Sequence, residues 1–138
     1  MNGSALLNFR LPKENRLRKP GEFRRVYEHG RRFEGRFMTV FIASSETDFQ
    51  RLGITASKKA IGNAVQRNRA KRLLREAFRL NKAELNELDT KFDWVLNARR
   101  SLLKVKLEKP LEEFWQIIAK VKSSELNKSE KNVEAQAK

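Results

Sequence analysis

The chain has 138 residues, with 31 Lys or Arg against 17 Asp or Glu and a formal net charge of +14. That length predicts one domain with one modest core. The charge points to a polyanionic partner, with nucleic acid ahead of an anionic membrane surface, while the lack of cysteine excludes disulfides and thiolate zinc sites and fits a reducing cytoplasm.

No apolar run approaches the roughly 20 residues that a membrane span needs, and Asn8 and Arg10 interrupt the apolar residues near the N-terminus. Residues 1–16 show no sustained period and read as a flexible basic segment. The folded domain is expected over 17–122. Pro20 suits the first turn of a short helix in which Phe23, Val26 and Tyr27 form one apolar stripe, and Gly30 is its stop. Residues 31–37 predict a first strand. Residues 37–44, rich in aromatic and β-branched side chains, predict a second with two apolar faces. After a turn at 45–50, residues 51–57 read as a third strand, forming a hairpin with the second. A basic helix follows to about residue 81. Residues 92–98 predict a fourth strand and 99–107 a loop. Pro110 opens the last helix, with Leu111, Phe114, Trp115, Ile118 and Val121 on its apolar face. Residues 123–138, poor in apolar side chains, read as a disordered tail. The order helix, three strands, helix, strand, helix predicts an α+β fold: a small four-stranded sheet packed with three helices.

The basic stretch organises the rest. Between Lys58 and Arg79 lie eight basic residues (Lys58, Lys59, Arg67, Arg69, Lys71, Arg72, Arg75, Arg79) and one acid, Glu76. Asn63 is a fair N-cap. At about 100° per residue, Ala70, Leu73, Leu74, Ala77 and Leu80 share one side. Asn68, Arg72, Arg75 and Arg79 share a narrow arc on the other, with Lys71 beside it; Arg67 and Arg69 sit at the seams. A merely solvated helix would mix signs, with acids placed to pair with cations one turn away. Here the cations are left to repel one another, and a polyanion would relieve that. Arg predominates, and its planar fork suits phosphate.

The run KKAIGNAVQRNRAKRLLREAF resembles the signature of the bacterial ribonuclease P protein subunit, through its Arg67-Asn68-Arg69 triplet, its Lys58-Lys59 lead and the continuation to Arg75. The resemblance covers about residues 17–122. It implies an αβββαβα sandwich whose third and fourth strands join through the basic helix by a left-handed crossover, an exception to the usual hand. It implies an accessory subunit of an endoribonuclease. In that enzyme a catalytic RNA removes the 5′ leader of precursor tRNA, with Mg²⁺ held by RNA and substrate. It implies that Lys58, Lys59, Arg67, Asn68, Arg69, Lys71, Arg72 and Arg75 face the RNA subunit, and Arg79 continues that face. It also implies a cleft for the single-stranded leader, with Phe23 and Tyr27 as its helix aromatics and Met38 and Val40 as its strand positions. Val40 stands where the family often has an aromatic. By spacing alone, Phe23 and Tyr27 suit core packing equally well.

A protein nuclease would need an acid–base pair or a metal cluster. His29 is the sole histidine and has no second group placed to work with it. Glu112 and Glu113 are helical neighbours that point apart. The residues therefore describe a binder with no catalytic side chain, no metal site of its own, and no small-molecule substrate. A structural RNA binder such as a ribosomal protein is the competing reading. A DNA-groove binder is the third, disfavoured because strands rather than a helix-turn-helix precede the basic helix.

Overall fold

The computed structural model of the chain describes residues 11–137, with side chains through residue 127. A 3-10 turn at Lys13–Asn15 leads to α1 (Pro20–His29), β1 (Arg31–Glu34), β2 (Met38–Ser44), β3 (Arg51–Thr55), α2 (Ala64–Leu80), a short α3 (Lys82–Asn86), β4 (Phe92–Ala98), a 3-10 turn at Arg100–Lys104, and α4 (Glu108–Ala137). The α+β reading holds, with one short helix more than expected.

The expected hairpin between the second and third strands does not exist. The sheet order is β1-β2-β4-β3: β4 lies antiparallel to β2 and parallel to β3. Its residues are buried along nearly the whole strand, so it takes the centre. The chain from β3 must then travel through α2 to reach it, since parallel neighbours need a long crossover.

The starts of α1 and α2 have local causes. Pro20 opens α1, and Glu22 Oε1 accepts hydrogen bonds from the backbone N–H of Arg18 and Lys19, both at 2.8 Å. Asn63 caps α2: its Oδ1 accepts from Gln66 N–H at 2.9 Å, and Gln66 Oε1 accepts from Asn63 N–H at 3.0 Å. The turn before this cap needs Gly62, whose φ of +127° is closed to most side chains.

Strand alternation divides the interior in two. Met38, Val40 and Ile42 of β2, with Trp94 and Leu96 of β4, face α2 and α4. There Trp94 packs edge-on to Phe114 at 5.4 Å, and Phe78 lies 5.8 Å from the same ring. Side chains of this size each contribute about 1.5–3 kcal/mol when fully buried. Gln50, expected only as the end of a turn, is a buried tie: its Oε1 accepts from Phe92 N–H and Trp94 Nε1–H, and its Nε2 donates to Leu85 and Thr90 carbonyls. On the other sheet face, Ala43 and Val95 meet Leu17 and Val26, with Phe23 and Phe41 at the margin.

The ends of the chain also differ from expectation. Residues 1–10 of the segment expected to be flexible lie outside the described residues. From Leu11 onward that segment is packed: Leu11 is buried, and Arg16 bridges to Leu52. Where the sequence leaves 123–138 as a disordered tail, α4 runs on to Ala137. Its Lys, Glu, Ala and Gln content favours a helix. Glu125 also anchors it, accepting from the N–H groups of Asp89 and Thr90.

Candidate nucleic-acid interface

Most of the predicted binding residues fall on two surfaces, one on each side of the sheet. The first is the polar face of α2. Asn68 and Arg72 are exposed, and Lys71 and Arg75 are half-buried. Among the described residues, none of these four side chains has a hydrogen-bond or ion-pair partner. Arg79 differs: it donates to both carboxylate oxygens of Glu76, at 3.2 and 2.9 Å, and that hydrogen bond raises its pKa. Leu80, expected on the apolar side, is 46% exposed, because the helix ends there.

The seam arginines hold the scaffold. Arg67 Nε donates to the Ala56 carbonyl at 2.8 Å, tying α2 to the end of β3. Arg69 reaches the carbonyls of Leu103 and Val105, at 3.4 and 2.9 Å, and ties α2 to the segment after β4. Each therefore orders backbone next to the exposed cations. Lys58 and Lys59 are exposed on the link between β3 and α2.

The second surface is the groove between α1 and the sheet. Met38 and Val40 are not in it. Both are fully buried on the opposite face, against α2 and α4. Strand alternation is the reason: a one-residue shift moves a side chain to the other face. The residues of β2 that face α1 are Thr39 and Phe41. Register aligns three rows across the sheet: Ala43, Asp93 and Arg51; Phe41, Val95 and Gly53; Thr39, Asn97 and Thr55.

α1 closes one end of this face with ions. Asp93, 1% exposed, receives Arg51 Nε and Nη2, both at 2.7 Å, and Arg25 Nη1 at 3.3 Å. Arg51 Nη1 also donates to Glu22 at 2.7 Å. The hydrogen bonds that Arg51 donates to Asp93 outweigh burial and raise the Arg51 pKa. Burial opposes ionisation of Glu22, but the Lys19 and Arg18 N–H groups and the Arg51 guanidinium outweigh it and lower its pKa. Phe23 is half-buried and lies on Gly53: a Cβ there would sit 2.6 Å from the ring, so the ring's seat exists only because the residue is glycine.

The other end is open. Tyr27 is 39% exposed and meets Phe41 edge-on at 4.9 Å. Arg32 lies over the Phe41 ring at 5.8 Å from its centroid. Tyr27 OH donates to Asn97 Oδ1 at 2.9 Å, and Thr55 Oγ1 donates to the same oxygen at 2.6 Å. The chain leaves β3 and β4 at this end, toward Lys58 and Lys59 from one and exposed Arg99 and Arg100 from the other. Sequence reasoning missed Thr39, Phe41, Thr55 and Asn97. The signal was present: Asn97 is the polar residue out of phase with Trp94 and Leu96, and Thr39 stands out likewise against Met38 and Val40.

His29, at the end of α1, is exposed, with the Glu28 carboxylate 4.0 Å from its Nε2. Among the described residues, no three His, Cys, Asp or Glu side chains gather as a metal site, and no helix is long and apolar enough to cross a membrane.

A family model described as Ribonuclease P matches residues 11–122. The chain belongs to the ribonuclease P protein family. The ribonuclease P protein component of Methylococcus capsulatus is 38% identical over 113 residues, spanning 80% of this chain and 85% of that protein. That of Syntrophus aciditrophicus is 50% identical over 72 residues, but the match spans only 60% of its length and 52% of this chain. The solved RNase P protein of Staphylococcus aureus superposes with a TM-score of 0.65 at 30% identity, covering 78% of this chain and 94% of that one. The RNase P protein of Thermotoga maritima gives 0.65 at 29% identity, covering 75% and 94%.

Proposed function

We propose that this chain is the RNA-binding protein subunit of ribonuclease P, which assists a catalytic RNA in removing the 5′ leader of precursor tRNA in the cytoplasm. The polar face of α2, with Lys58 and Lys59, docks the RNA subunit. The open end of the groove, with Tyr27, Phe41, Thr39 and Asn97, takes the single-stranded leader. Mg²⁺ is held by the RNA and the substrate phosphates, and no side chain of this chain is assigned a chemical step.

One observation carries this reading: among the described residues, Asn68, Lys71, Arg72 and Arg75 form an arc of polar and cationic groups without protein partners, and a separate open aromatic groove is rimmed by further cations. Such an arc matches a regular array of phosphates, each contact releasing counterions. The groove matches unpaired nucleotides, whose bases stack on rings with little regard to sequence. A duplex, already stacked, suits it poorly.

The test is to purify the chain from its own cell and sequence the RNA that accompanies it. One dominant structured RNA that cleaves precursor tRNA on reconstitution is the expected result. Ribosomal RNA without such cleavage would overturn the proposal in favour of a structural RNA binder. In the same reconstitution, Tyr27→Ala should weaken binding of leader-bearing tRNA and leave leaderless tRNA nearly unchanged.

A further inference from the structure

Asn97 has an unusual hydrogen-bond state. Its carbonyl oxygen accepts from Tyr27 OH at 2.9 Å and from Thr55 Oγ1 at 2.6 Å. A carbonyl oxygen has two lone pairs, so its accepting capacity is full. Its amide N–H groups have no partner among the described residues, although the residue is half-buried. The amide therefore offers donors only, at the open end of the groove. Exposed Tyr27 stands edge-on to Phe41 beside it, with the Arg32 guanidinium over the Phe41 ring.

We infer that Asn97 is the groove's hydrogen-bond donor to one unpaired base of the leader, held in that role by Tyr27 and Thr55 as positioning residues. The inference rests on the leader reading above and goes beyond it by naming the residue and the direction of the hydrogen bond. A base resting against the Tyr27 or Phe41 ring brings an edge toward the sheet floor, where Asn97 lies between β2 and β3. All four bases carry edge acceptors, so a donor there holds the nucleotide without selecting strongly for one base. A free asparagine could form the two-point pair with adenine. This one cannot, because both lone pairs of its oxygen are taken. The rim supplies charge complementarity to the backbone through Arg99 and Arg100, both exposed.

The experiment measures precursor tRNA affinity in reconstituted holoenzyme, with native leader and with a single abasic nucleotide moved through the leader. Wild type is compared with Asn97→Leu and with Asn97→Asp. The Asp variant keeps an oxygen for Tyr27 and Thr55 and removes the donor, so it tests the donor even if Asn97→Leu disturbs packing. Asn97→Leu should weaken leader-bearing tRNA about two- to tenfold, as expected for one hydrogen bond, with leaderless tRNA unmoved. At one leader position the abasic loss and the Asn97→Leu loss should fail to add, because both remove the same contact. The Asp variant should show the same non-additivity at the same position, over a uniform loss from its added charge. Losses that add at every position in both variants would overturn the role of Asn97 while leaving the leader groove standing. Equal wild-type affinity for leader-bearing and leaderless tRNA would instead remove the leader reading, and this inference with it.

Discussion

The two ends of α1 lie on one sheet face and treat their polar groups in opposite ways. At the N-terminal end, Glu22, Arg25, Arg51 and Asp93 are bonded to one another. One turn onward, Tyr27, Asn97 and Thr55 share a single acceptor and leave donors and a ring face open. The same four elements build both ends. Charge alone therefore does not mark a binding surface. The closed end bonds its buried ions to one another, whereas the open end has few ions of its own and exposes what a nucleotide can use.

The comparison breaks most sharply at Asp93. Asp93→Ala leaves Arg51 and Arg25 beside a buried void, and removal of one partner of a buried pair typically costs about 3–5 kcal/mol. Urea unfolding should show that loss, whereas Asn97→Leu at the open end should cost less than about 1.5 kcal/mol. If Asp93→Ala proves as mild as Asn97→Leu, the closed end is not a lock, and the two ends are alike.

A second comparison sets the arc of α2 against its seams. Arg72→Ala with Arg75→Ala should reduce the salt dependence of affinity for the RNA subunit by about 1.5 to 2 in log–log slope. Unfolding free energy should change by no more than about 0.5 kcal/mol per site. Arg67→Ala should do the reverse in part, since its Nε holds the Ala56 carbonyl: stability falls along with affinity. An unchanged slope in the double variant would place the dock elsewhere.

These contrasts explain what could be read from the residues beforehand. The arc of α2 was legible because a helix repeats locally, so Asn68, Arg72 and Arg75 align within a single run. The strand boundaries of β2 and β4 were nearly legible for the same reason. The groove was not. It depends on which face each strand turns to α1, and a one-residue shift exchanged Thr39 and Phe41 for Met38 and Val40. It also depends on β4 lying between β2 and β3, a pairing set by residues far apart in the chain. Side-chain ties were equally hidden: Glu113 accepts from the N–H groups of Arg36, Phe37 and Met38, and nothing local to Glu113 says so.

Acid should open the closed end first. The folded pKa of Glu22 lies below its unfolded value, so ionised Glu22 stabilises the fold above the ordinary carboxylate range. That contribution is lost as pH falls from about 4.5 through the lowered folded value, where the folded state must take up a proton it binds poorly. Glu22→Gln should therefore lower the melting temperature at neutral pH and flatten its decline in acid. Parallel melting curves for the two proteins from about pH 7 to pH 3 would show that Glu22 is not part of the lock.

The smallest expected effect separates the ring of Tyr27 from its hydroxyl. Tyr27→Phe keeps the aromatic face and its edge contact with Phe41, and removes one of the two hydrogen bonds that Asn97 accepts. Loss of a stacking platform is worth about 1–3 kcal/mol per base, so Tyr27→Ala should carry that penalty for leader-bearing tRNA. Tyr27→Phe should cost less, about 0.5–1 kcal/mol, because Thr55 still restrains the amide. The phenylalanine variant also frees one lone pair on Asn97, which makes the two-point pair with adenine available again. Its loss should accordingly be smallest for leaders with adenine at the contacted position and larger for the other three bases. If Tyr27→Phe loses as much as Tyr27→Ala, the hydroxyl, and with it the orientation of Asn97, matters more than the ring. If it loses nothing and shows no shift toward adenine, Tyr27 acts through its ring alone, and the open end of the groove is a stacking surface without a directional contact.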